Sequence, residues 1–137
     1  MANKKRIMVV DDDKDIRKSV KQILEKNGYK VYSFENGREC LKTLKEGKYK
    51  PSLIILDIMM PEMSGWEFQR KLDENIELSD IPIVFLTARS TETAQEMYRR
   101  YGVDYISKPF DINYLISSID KITNSKEKSE QKVNYCS

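Results

Sequence analysis

Five times along the chain, a short run rich in β-branched residues gives way to a longer segment of helical periodicity. The short runs are Arg6–Val10, Lys30–Phe34, Ser52–Leu56, Ile81–Leu86 and Asp104–Ser107. Ile16, Val20, Ile23 and Leu24 share one helical face in the first long segment, which Gly28 stops. Leu41 and Leu44 mark the second, ending near Gly47, and a shorter helix follows from about Gly65 to Leu72. Ala94, Met97, Tyr98 and Tyr101 share a face in the fourth, closed by Gly102. Ile112, Leu115, Ile116 and Ile119 line the fifth, with Asp111 as its N-cap. Five strand–helix units in series predict a parallel sheet with helices on both faces, an α/β fold.

The length of 137 residues suits one domain with a substantial core. From about Asn124 the periodicity dissolves into "NSKEKSEQKVNYCS". The expected organisation is therefore a folded domain over residues 1–123 and a polar tail over 124–137, too poor in apolar residues to order itself. Lys and Arg number 24 against 22 Asp and Glu, a net charge of +2. That balance favours neither nucleic acid nor an anionic membrane surface as partner. No apolar run approaches the length of a membrane span. The opening "MANKKRIMVVDDD" breaks off in three acids, so export is not expected. Two cysteines, Cys40 and Cys136, give no disulfide framework and fit a reducing cytoplasm, with Cys40 read as a small core residue. The chain has no histidine, which excludes histidine triads, histidine metal sites and a phosphohistidine carrier on this chain.

The unusual polar residues fall at strand ends. Asp11 and Asp12 follow the first strand, Asp57 closes the third, Thr87 the fourth and Lys108 the fifth. Open α/β sheets bind ligands outside the carboxyl ends of their strands, so these scattered residues become neighbours. Three carboxylates and one ammonium leave two negative charges, which a divalent cation cancels. Hard oxygen ligands suit Mg²⁺, a metal that usually works beside phosphate. Asp57 has the chemistry of a nucleophile that accepts a phosphoryl group as an acyl phosphate. Lys108 would neutralise phosphoryl oxygens, and Thr87 could donate a hydrogen bond to one. Asp13 reads instead as the N-cap of the helix starting near Lys14. Trp66 and Phe68 read as packing residues of the third helix, and Met59, Met60 and Met63 as loop hydrophobes.

These residues resemble the receiver domain of two-component response regulators. "VVDDD" is similar to the family's acidic-pair motif, with Asp11 and Asp12 as its members. "LIILDIMMPEMSGWE" resembles the phosphoacceptor segment, "FLTA" the strand-four motif with its switch hydroxyl Thr87, and "DYISKPF" the strand-five motif with Tyr105, Lys108 and Pro109. The likeness covers about Lys5 to Thr123, and four motifs in order at compatible spacing are far more specific than any one. It implies a flavodoxin-like (βα)5 doubly wound sheet of strand order 2-1-3-4-5. It also implies that Asp12, Asp57 and the Met59 backbone carbonyl bind Mg²⁺ (or Mn²⁺) directly, with Asp11 acting largely through water. In the family the Lys–Pro bond, here Lys108–Pro109, is usually cis, which X–Pro bonds tolerate.

The implied activity is phosphoryl transfer from a sensor histidine kinase or phosphotransfer protein to Asp57. Thr87 then moves toward the phosphoryl group and Tyr105 turns, altering the surface of the fourth helix, fifth strand and fifth helix. Such a domain catalyses only its own phosphorylation and dephosphorylation, and signals to a downstream protein as a monomer or a phosphorylation-promoted dimer. Met59 departs from receivers with a small polar residue two positions past the phosphoacceptor. Slower autodephosphorylation is expected, which Met59→Asn should reverse. The tail carries no DNA-binding pattern. One rival is a haloacid-dehalogenase-like phosphatase, but Ile58 and Met59 after Asp57 lack its second aspartate. The other is a phosphorylation-independent pseudo-receiver, although such modules usually lose one of the five site residues kept here.

Overall fold

The computed structural model describes residues 4–58, 60, 62–87, 104–107 and 111–131, with side chains for all but Thr87, Asp104, Tyr105, Ser107 and 125–131. Along the chain these form β1 (Arg6–Val10), α1 (Lys14–Lys26), β2 (Lys30–Phe34), α2 (Gly37–Glu46) and β3 (Leu53–Asp57). There follow α3 (Gly65–Asp73), β4 (Ile83–Thr87), β5 (Asp104–Ser107) and a last helix, α4 (Ile112–Gln131). The helix expected from Ala94 to Tyr101 lies outside the described residues.

All five strands pair in parallel in the order β2-β1-β3-β4-β5, as expected. Sheet alternation divides the core into two layers. Met8, Val10, Ile54, Leu56, Ile83 and Phe85 face α2 and α3, meeting Cys40, Leu41, Leu44, Phe68 and Leu72. Ile7, Val9, Leu53, Ile55, Val84 and Leu86 face the other way, against Val20 and Leu24 of α1 and Leu115 and Ile119 of α4. This explains why "LIIL" has no polar alternation: β3 is central, and helices cover both of its faces. β2, at the sheet edge, buries only Val31, with Tyr32 and Phe34 half-buried and Lys30 and Ser33 exposed.

Local chemistry sets the helix ends. Asp13 caps α1 by accepting from the backbone N–H groups of Asp15 and Ile16. Asn36 and Ser64 do the same for α2 and α3, and the Asp111 carboxylate accepts from the Tyr114 N–H at the start of α4. Gly47 ends α2 in the left-handed region, at φ 71°. Cys40 is fully buried beside Met8, and burial pushes its thiol pKa up, so it packs as a small apolar residue.

Two boundaries differ from the sequence expectation. The fourth strand starts at Ile83 rather than Ile81, because proline has no N–H for the ladder. Pro82 serves as an acceptor only, its carbonyl taking the Ile54 N–H at 3.0 Å. The expected break near Asn124 is also not where the last helix ends, since α4 continues through Gln131. Lys, Glu and Gln are good helix formers, so a helix already seeded by a buried face propagates through a polar sequence at little cost. Residues 132–137, Cys136 among them, lie outside the described residues.

Candidate functional site

Two strand ends create the site. β1 stops at Val10, and the next residue, Asp11, is fully buried with its N–H donated to the Phe34 carbonyl at 3.1 Å. β3 ends in Asp57, which is 6% exposed and pairs in register with Leu86 of β4. β1 and β3 are adjacent and parallel, so both chains leave the sheet at the same edge. There the carboxylate oxygens of Asp11, Asp12 and Asp57 lie within 4.8 Å of one another. Asp12 is the exposed member of the three.

The acidic residues are therefore brought together as the sequence predicts. Thr87 ends β4 at the same edge, one residue beyond the Leu86 that pairs with Asp57, and its register partner is Ser107. Tyr105 lies on β5 opposite Phe85. The side chains of Thr87 and Tyr105, and the whole of Met59, Lys108 and Pro109, fall outside the described residues.

Two further residues shape this edge: Gly65, which the sequence places at the rim of the site and the start of the third helix without giving its contact, and Arg17, which sequence reasoning missed. Gly65 opens α3 directly against the end of β3, its N–H donating to the Ile58 carbonyl at 2.8 Å. Arg17 of α1 reaches back so that Nη1 donates to the Asp11 carbonyl at 2.7 Å. A signal for Arg17 existed. A cation in the opening turns of a helix opposes the helix dipole, so it needs an acceptor of its own. Beyond the site, Trp66 and Phe85 form a tilted ring pair at 5.9 Å, which sets the only tryptophan of the chain beside the strand next to Asp57.

Burial decides what such a cluster can do. Carboxylates that close repel one another, and the low-dielectric surroundings of Asp11 and Asp57 sharpen the repulsion. The donor set, three hard oxygens from three side chains, fits a small divalent cation such as Mg²⁺, which binds through a few carboxylates and keeps several waters. Exposure of Asp12 leaves one side of the cluster open to a ligand arriving from solvent.

A protein-family model described as the response regulator receiver domain matches residues 7–120. Among relatives, the chain is 39% identical over 118 residues to the "Probable transcriptional regulator ycf29" of Pyropia yezoensis, covering 85% of this chain and 52% of that one. It is 32% identical over 118 residues to the protein PilH of Pseudomonas aeruginosa, covering 85% and 96%. Among solved structures, the signal receiver domain of a histidine kinase from Syntrophus aciditrophicus superposes with a TM-score of 0.78 at 32% identity, covering 88% and 91%. The chain thus spans nearly all of one relative but about half the length of the other.

Proposed function

The chain belongs to the family of response regulator receiver domains, and from that premise we propose that it takes a phosphoryl group onto Asp57 and signals by the change of surface that follows. One observation carries the proposal: Asp57 ends the buried central strand with its carboxylate in a three-aspartate cluster. A sensor histidine kinase or phosphotransfer protein supplies the group, because this chain has no histidine of its own. An Asp57 oxygen attacks the phosphorus of the donor phosphohistidine in line. The new O–P bond forms as the N–P bond breaks, and the bonding pair leaves with the imidazole nitrogen, which takes up a proton.

Asp11, Asp12 and Asp57 would hold Mg²⁺, together with the Met59 carbonyl that the family pattern adds. Bound there, the metal supplies positive charge opposite the phosphoryl oxygens. Lys108 brings a second positive charge and Thr87 a hydroxyl donor, and Tyr105 responds to the Thr87 movement. Hydrolysis of the aspartyl phosphate resets the domain, so it turns over no substrate but its own phosphoryl group. The output is a protein contact, or control of an effector domain if the chain is part of a longer regulator like the relatives it half spans. No described helix is long and apolar enough to cross a membrane; a cytoplasmic place for the exchange is part of the proposal.

Incubation with Mg²⁺ and acetyl phosphate, read by intact mass, tests the proposal. A single phosphoryl addition is expected in the wild type and none in Asp57→Asn. Beryllofluoride with Mg²⁺ should change Trp66 fluorescence in the wild type. Failure to label or respond under any donor would point to a phosphorylation-independent module and overturn the reading.

A further inference from the structure

Among the described residues, the Asp12 carboxylate makes no hydrogen bond or ion pair, although it is an exposed member of a tight cluster. Among the described residues, then, the backbone of residues 11–13 is what places the Asp12 side chain at the cluster. Three hydrogen bonds close a circuit around that backbone. The Asp13 N–H donates to Asp11 Oδ1 at 2.9 Å, and the Arg17 N–H donates to the Asp13 carbonyl at 3.1 Å. Arg17 Nη1 completes the circuit by donating to the Asp11 carbonyl at 2.7 Å. The Asp11 N–H, bonded to the Phe34 carbonyl, fastens the circuit to the sheet.

Of the three bonds, only the guanidinium bond uses a side chain from outside the acidic run, and its donor is a cation. It ends on the peptide that joins Asp11 to Asp12. We infer that Arg17 is a positioning residue, which holds the Asp11–Asp12 peptide so that the Asp12 carboxylate faces Asp57. This rests on the reading of the cluster as a Mg²⁺ site. Charge alone predicts the opposite effect, because a cation near three carboxylates repels a divalent ion. The two accounts therefore differ in sign. The geometry favours positioning, since the guanidinium donates to a neutral carbonyl.

The test uses the whole chain without a phosphoryl donor. Mg²⁺ binding to wild type, Arg17→Met and Arg17→Lys is followed by Trp66 fluorescence and calorimetry, and amide hydrogen exchange at residues 11–13 is measured without metal. Arg17→Met is expected to weaken Mg²⁺ binding by about tenfold, in the range typical of residues that orient metal ligands. It should also speed exchange at Asp12 and Asp13, and Arg17→Lys should recover most of both. Unchanged or tighter Mg²⁺ binding in Arg17→Met overturns the inference, as does unchanged exchange. Absence of Mg²⁺ binding in the wild type would overturn the metal reading instead, and the exchange measurement then decides alone on Arg17.

Discussion

A methyl group on Gly65 would lie 2.9 Å from the Asp57 carbonyl oxygen, 2.9 Å from Phe85 Cε1 and 3.0 Å from Ile58 Cα. Two of these neighbours are backbone at the very place where β3 delivers its aspartate, so alanine must push α3 and the strand end apart. Gly65→Ala is expected to cost about 1–3 kcal/mol of stability by overpacking, measured by urea unfolding. Its phosphoryl uptake from acetyl phosphate should also slow, because the Asp57 backbone moves with the strand end. Arg17 is the complementary case, a side chain that acts on a carbonyl rather than on a carboxylate. The sequence offered a place for each, a glycine opening the third helix and a cation in the opening turns of the first, but not the contact either makes. A glycine is silent about what approaches it, and an arginine does not name its acceptor.

At the scale of elements, the start of α1 separates two jobs within three identical residues. Asp13 accepts from the Asp15 and Ile16 N–H groups, whereas Asp11 and Asp12 turn toward Asp57. Asp13→Ala should therefore lower stability by about 1 kcal/mol as a lost N-cap while leaving the Mg²⁺ midpoint in place. Asp12→Ala should do the reverse, abolishing most Mg²⁺ binding with stability unchanged or raised, since it relieves repulsion. Thermal unfolding with and without Mg²⁺ separates the two. The caps were readable beforehand because capping is local: Asp13 and Asp111 act within their own first turns, as expected. The start of β4 was not, because Ile81 and Pro82 look like strand in composition and only ladder pairing begins the strand at Ile83.

Across the whole molecule, the last helix is tied to the far end of α1 by a buried tyrosine. The Tyr29 hydroxyl donates to Asp120, and the Thr123 hydroxyl lies 3.3 Å from it. Burial first, and then the bond to Asp120, raise the Tyr29 pKa from 10.0 to about 12. The folded chain thus keeps a proton that the unfolded chain releases. Stability from this group is complete below pH 10 and falls as pH rises from 10 to about 12. Tyr29→Phe should start about 1 kcal/mol less stable at neutral pH through the lost hydrogen bond. It should then lose less on the way to pH 12 than the wild type does, as denaturant midpoints against pH would record. A wild-type alkaline fall identical to that of Tyr29→Phe would remove Tyr29 from the account.

The alternation of five short apolar runs with amphipathic segments determined the parallel sheet, because a period of two and a period of 3.6 each bury one kind of surface. The positions of Asp11, Asp12 and Asp57 after strands were equally a property of the chain, since parallel strands all end at one edge. Tertiary structure decided how close those carboxylates come, 4.8 Å at most, and which of them water can reach. It also decided what holds them there: an arginine folded back from α1 and a glycine pressed against the end of β3. Such contacts join residues whose sequence separation carries no periodic signal, and only packing brings them into register.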